Sequence, residues 1–543
     1  MDTWSSSDSS RTPLTRRQRL AVLAIAAAAC LPLVFWAATH DVFTRRRGDP
    51  AVDAHIQALG EEDAYVRREA AARLGDAGPD DSWKALAALA GAADDVQPQV
   101  REAAARSIAW LVTKTAGDAG GSSGPFGEQG GAGAAFLEPA RAAAAGVLKC
   151  LTDPDPAVRT AAADALAAFG KPPGSRAPRE LISALDDPFP AVRYAAARAL
   201  SEFSAGLDPA IPPLLRLIAA DDQWENHYRG PLRKLKPSPA VVPDLIAALK
   251  GPDARGRIAS SMILGNIGPE ASEAIPELLS AFEGSLESAD APASFAMPDL
   301  TFDASLALAR IAPGAAARDQ VVAALSAALR SEKPRVRDAS AYALGSMGGE
   351  AAGAIPELLA ALERGLAGDG TADAPAMEEL AREACRALSR IAPGAPSGDR
   401  VVAALTAALR SKRPPVRAAA AEALGLMGGE AEGAILALAS ALGEAIATPG
   451  SFDCGTPIAS ALGRIAPGCE AAPAAVAALV PALRADRVYT REAAARSLGR
   501  FGPLAAGSIP ELRRTPRDSY GRVQIAVEEA LREIDPHAAA KSQ

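Results

Sequence analysis

Residues 321–362 read VVAALSAALRSEKPRVRDASAYALGSMGGEAAGAIPELLAAL, a run of helix, turn, helix, turn and the start of a third helix. A near-copy, VVAALTAALRSKRPPVRAAAAEALGLMGGEAEGAILALASAL, begins at Val401. Leu264, Leu344 and Leu424 head LG pairs eighty residues apart, and Pro313 and Pro393 sit in IAPG turns at the same spacing. Self-similarity on this scale predicts an array of small helical units, each too small to bury its own apolar stripe and each stabilised by its neighbours.

The second helix of each unit carries V-R-x-x-A-A-x-A-L-G, seen in Val158–Leu166, Val192–Leu200, Val336–Gly345 and Val416–Gly425. Its apolar residues fall on one stripe, and its alanines let a neighbouring helix approach closely. Pro190, Pro334 and Pro415 stand in the first turn, where the missing N–H costs nothing. Asp153, Asp155 and Asp187 are placed to cap free amides there. Gly170, Gly345 and Gly348 are expected to end helices. The first helix is marked by AIPELL at Ala274 and Ala354, with IPEL again at Ile509.

These patterns resemble HEAT repeats, most closely the short HEAT-like repeats of the phycobilin (PBS) lyase type. The resemblance covers roughly residues 50–537. It implies an all-α fold, a right-handed α-solenoid or superhelix of about thirteen helical hairpins. The residues closing the successive second helices are Leu74, Ile108, Leu166, Leu200, Leu235, Leu264, Leu308, Leu344, Leu388, Leu424, Leu462, Leu498 and Leu531. Leu235 fits least well. The repeat array is assigned to residues 51–537, followed by a tail at 538–543.

Ahead of the array, residues 1–19 are polar and serine-rich, a composition that predicts disorder. Residues 20–39, LAVLAIAAAACLPLVFWAAT, are uncharged and flanked by arginines. About 20 residues at 1.5 Å rise reach across a bilayer core of roughly 30 Å. One N-terminal transmembrane helix is therefore expected, with a juxtamembrane linker at 40–50. Arg11, Arg16, Arg17 and Arg19 slightly outweigh Arg45–Arg47, which favours a single-pass protein with its repeats on the extracytoplasmic side. A cleaved signal peptide, leaving a secreted or periplasmic protein, is the alternative. A lipoprotein signal at Cys30 fits less well, because the apolar run continues to Phe35.

With 49% hydrophobic and 4% aromatic residues, the composition suits an alanine-rich helical stack. A net charge of -8 and pI near 5.4 argue against a nucleic-acid partner. The glycine-rich stretch at 115–136 lacks a phosphate-loop signature and reads as an insert loop. Further inserts at Gly284–Pro298, Gly365–Met377 and Gly443–Cys454 recur at equivalent points, as an aligned rim would. The segment Asp221–Pro239 breaks the repeat, placing Trp224, His227, Tyr228, Arg229, Arg233 and Lys234 where alanines are expected. It is either a decayed repeat or a partner-binding patch, since arginine and aromatics anchor interfaces.

Little points to catalysis. His40, His55, His227 and His537 are scattered, so no metal and no cofactor are expected. The HEAT-like deoxyhypusine hydroxylases bind di-iron through repeated His-Glu dipeptides, and this chain has none. Cys30, Cys150, Cys385, Cys454 and Cys469 form no C-x-x-C, though a Cys454–Cys469 bridge stays open. The repeated Arg67, Arg101, Arg159, Arg193, Arg337, Arg417 and Arg491 are expected to form a structural ladder. The column two residues before each closing leucine (Arg106, Asp164, Arg198, Tyr342, Arg386, Glu422, Arg496, Glu529) looks like a solvated or protein-facing surface. The resulting expectation is a non-enzymatic, membrane-anchored scaffold or adaptor for protein partners. A lyase or oxidoreductase, or a partner of one, is the alternative that the resemblance alone suggests.

Overall fold

The computed structural model describes residues 49–118, 133–170, 175–287, 300–367, 374–447 and 452–535. Their regular structure is helical, apart from an isolated bridge between Arg176 and Ala205. The chain divides into two compact units, residues 1–175 with 179–199, and residues 176–178 with 200–543. Among the described residues of each unit the helices pair into hairpins stacked in chain order, four in the first and nine in the second.

The hairpin of Arg318–Ala328 and Pro334–Met347 shows how the sequence produces the unit. Val321 and Leu325 on the first helix and Val336, Ala341 and Leu344 on the second are buried, because the 3.6-residue period brings them onto facing stripes. Pro334 opens the second helix after extended Lys333. Gly348 closes it with φ 58°, a backbone conformation that side chains other than glycine's rarely adopt. A 3-10 stretch, Gly348–Ala354, then leads into the helix Ile355–Ala367.

Gly345 has a different task from the helix-ending one expected of it. It lies inside Pro334–Met347, where a Cβ would stand 2.9 Å from the Ala387 Cα of the next hairpin. Gly265 meets Ala307, Gly425 meets Ala461 and Gly499 meets Ala530 in the same way. The glycine after one closing leucine therefore packs on the residue before the next. Successive second helices stack directly, backbone against backbone, and their residues fall into register.

Leu264, Leu308, Leu344, Leu388, Leu424, Leu462 and Leu498 are all fully buried. Leu531 is half-buried, in the last described hairpin. Leu235 is also buried, but it follows a second helix broken into Trp224–His227 and Arg229–Lys234.

The arginine ladder is structural. In the first unit Arg67 grips Asp95 at 2.7 and 3.0 Å, Arg101 grips Asp153 at 2.6 and 2.8 Å, and Arg159 grips Asp187 at 2.7 and 3.0 Å. Each arginine also donates to two carbonyls of its own hairpin turn, for example Arg159 to Asp153 and Pro154. Each aspartate stands six residues before the next arginine, so one side chain ties two hairpins. Burial opposes the Asp153 and Asp187 carboxylates, but the arginine and backbone hydrogen bonds hold both below the usual aspartate range. Ser331, Ser411 and Ala485 replace the aspartate in the second unit, where Arg337, Arg417 and Arg491 keep carbonyl contacts with their own turns.

The membrane expectation is corrected. Among the described residues no helix is long and apolar enough to cross a membrane. The long helix Ala374–Ile391, for instance, carries Glu378, Glu379, Arg382, Glu383, Arg386 and Arg390. The fold is accordingly an all-α hairpin array with no transmembrane helix among those residues, and the single-pass placement is withdrawn. The segments assigned to 1–19 and 20–39, most of the 40–50 linker and the 538–543 tail lie outside the described residues. The edges of the 115–136 insert are helical, since Pro98–Asp118 and Gly133–Cys150 run into it, and 119–132 lies outside.

Candidate protein-binding surface

The six residues singled out in the 221–239 segment divide between core and surface. Trp224 is 3% exposed and Tyr228 is 1% exposed, so both fill the space that a regular second helix would occupy. As anchors offered to a partner they are corrected to core residues. His227 is half-buried, its Nδ1 3.0 Å from Asp221. Arg229 reaches Asp303 on the helix Leu300–Ile311 at 3.3 Å. Lys234 is exposed and donates to Glu202 at 2.7 Å, and Arg233 is also exposed.

The second helices present a longer surface. Within each unit, residues two before the closing leucine form one column along it, and residues two after form another. Contacts between neighbouring hairpins confirm the register: Arg198 pairs with Asp164 in the first unit, Arg310 donates to Asn266 at 3.2 Å, and Arg496 lies 4.0 Å from Glu529. The first column was legible in sequence and is largely neutralised. Arg106 pairs with Glu102, and Arg386 with Glu383. Tyr342, 39% exposed, stacks on Phe302 with ring centroids 5.7 Å apart. In the first unit the helices Ala64–Leu74 and Pro98–Asp118 flank a 460 Å³ cleft lined by Arg68, Glu69, Arg106 and Trp110.

The second column was missed. In the second unit it runs Pro237, Asn266, Arg310, Ser346, Arg390, Leu426, Arg464, Arg500 and Glu533. Its signal is the R-I-A-P-G ending shared by residues 310–314, 390–394 and 464–468. There the arginine passes for an ordinary helix-terminal cation.

Among the described residues no cluster of His, Cys, Asp and Glu could hold a metal ion. Cys150, Cys385, Cys454 and Cys469 are free thiols, so Cys454 and Cys469 are not bridged. Burial pushes the Cys150 thiol up to about 11 and the Cys385 thiol up to about 12, which keeps both protonated and poorly nucleophilic.

Comparison with known proteins agrees with this architecture. Residues 144–227 match the family model for HEAT repeats. No curated protein matches the chain by sequence. The fold is similar to the karyopherin Kap121p bound to the extreme C-terminus of the protein phosphatase Cdc14p, with 14% identity and a TM-score of 0.51 over 89% of this chain and 53% of that one. It is also similar to Kap95p in its complex with RanGDP, with 14% identity and a TM-score of 0.50 over 90% of this chain and 70% of that one. The chain thus spans about half the length of the Kap121p it matches. Identity this low establishes likeness of fold alone. The matched segment, residues 144–227, is similar to HEAT repeats, and the repeated hairpin is consistent with that likeness.

Proposed function

We propose that the protein is a non-enzymatic scaffold that holds protein partners along the exposed face of its second helices. One observation carries this reading. Within each unit, residues of successive hairpins fall into registered columns, giving a mixed polar and aromatic surface. Such a surface suits extended contact with another chain, because a rigid scaffold lowers the ordering cost of binding. Arg233 and Lys234, the exposed members of the irregular segment, are proposed as peripheral contacts. The solved structures similar in fold hold protein partners of their own, and that likeness supplies architecture only.

Site-specific photo-cross-linking of the full chain tests the proposal. A photoreactive residue at Tyr342, on the second-helix face, is expected to give discrete protein adducts in the native cell. One at Leu436, exposed on a first helix, is expected to give few. Absence of adducts at Tyr342, or equal labelling at both positions, overturns the scaffold reading.

A further inference from the structure

We propose that Arg390, Leu426, Arg464 and Arg500 form a docking row for an extended acidic segment of a protein partner, a proposal that rests on the scaffold reading above. The four residues belong to four consecutive hairpins of the second unit, at the same position two residues after the closing leucine. All four side chains are exposed, Leu426 at 54%. The Arg464 side chain lies toward the preceding helix, its Cδ 3.7 Å from where a Gly425 Cβ would stand, next to Leu426.

Charge distinguishes this row from the column beside it. Arg386 and Arg496 each have a carboxylate partner. Among the described residues none lies within ion-pair distance of Arg390, Arg464 or Arg500. A helix-end dipole gives each arginine a local electrostatic benefit. The position does not demand one, since Pro334–Met347 and Pro414–Met427 carry Ser346 and Leu426 there. In a chain of net charge -8, three guanidiniums in register without an ion-pair partner among the described residues are a local basic exception, which ends where Glu533 takes the next place in the column. They are matched by carboxylates, which arginine binds through paired N–H donors.

Spacing specifies the ligand further. Packed helices lie about 8–10 Å apart, and an extended chain advances roughly 3.3 Å per residue. One hairpin therefore corresponds to about three residues of an extended segment. The row then accepts a carboxylate, an apolar residue three positions on for Leu426, and carboxylates at the next two steps of three. The exposed leucine inside the row favours such a peptide over a nucleic-acid backbone, which has no apolar group to place there.

The test is fluorescence anisotropy with the full chain and a labelled peptide, E-S-A-L-S-A-E-S-A-E. Comparison probes are its Gln-for-Glu form, a peptide of equal composition with adjacent glutamates, and a ten-residue oligo-dT. The acidic peptide is expected to bind, with affinity falling as salt rises. Arg390→Glu, Arg464→Glu and Arg500→Glu are each expected to weaken it about threefold or more, and together about tenfold or more. Leu426→Ser is expected to weaken it with unchanged salt dependence. Circular dichroism checks that these surface variants stay folded.

Failure of the acidic peptide to bind, equal binding of the Gln form, or indifference to the charge reversals overturns the row. Oligo-dT binding as tight as the peptide and lost in the same variants also overturns it, in favour of a nucleic-acid site. If the peptide fails while Tyr342 still yields protein adducts, the row is refuted and the scaffold reading stands. If both fail, the scaffold reading falls as well.

Discussion

Gly345 and Ala387, on second helices of adjacent hairpins, touch so closely that a Cβ on Gly345 would stand 2.9 Å from the Ala387 Cα. The contact sets the distance between those hairpins and aligns Tyr342 with the Arg386–Arg390 turn across from it. The surface columns therefore depend on a small-residue contact beneath them.

Gly345→Ala is expected to destabilise the second unit by about 1–3 kcal/mol, because the clash is with backbone and cannot be relieved by a rotamer change. Gly349→Ala, with nothing within 4 Å of the added methyl, is expected to be near neutral. Urea denaturation of the two variants checks the difference. Equal midpoints would show that the stack yields at no cost.

Arg159→Ala should destabilise the first unit by about 3 kcal/mol, since it strands the buried Asp187 carboxylate and two turn carbonyls. Arg159→Lys should recover little, because an ammonium cannot span the Asp187 oxygens and the carbonyls at once. The pH dependence follows from the depressed Asp187. Its contribution is full above the ordinary aspartate range and is lost as pH falls through the lowered folded value. Thermal melts from pH 7 down to pH 2 should show the wild type and Arg159→Ala converging at the acid end.

Trp224→Ala is expected to cost about 3 kcal/mol or more as a core truncation. Arg233→Ala should change stability by less than about 0.5 kcal/mol. Limited proteolysis offers a local readout, with new cleavage near residue 224 in the tryptophan variant only. A Trp224→Ala protein as stable as the wild type would return this residue to the surface.

Asp338 predicts the opposite pH trend. Its Oδ1 is buried without a hydrogen-bond partner. Burial, helped by Glu379 and Glu383 against the pull of Arg337 and Arg382, raises the carboxyl to about 7. The folded state therefore holds this proton more tightly than the unfolded chain. Stability falls as pH rises from the ordinary aspartate value through about 7, and the penalty is complete above that. Asp338→Asn should stabilise the protein by about 2 kcal/mol at pH 8, allowing for partial solvent access, with the gain vanishing near pH 3. A gain independent of pH would refute the assignment.

Helix positions, the hairpin order and the buried leucines were legible in the sequence, because they follow from local periodicity. Val336, Leu344 and Pro334 mark stripe, closure and start of a helix whatever surrounds it. The arginine ladder was also legible as a structural device, while its acceptors, Asp95, Asp153 and Asp187 of the following turns, came from the structure.

Other assignments waited for the tertiary structure, because they depend on what stands across from a residue. Gly345 fits helix termination and close packing equally well until Ala387 is placed opposite. Trp224 and Tyr228 look like exposed anchors in a string of polar residues, yet a broken helix turns them inward to fill its own gap. Arg390, Arg464 and Arg500 are ordinary helix-end cations one at a time. Stacking alone brings them into a row, with no ion-pair partner among the described residues, since register between hairpins is fixed by side chains far apart in the chain.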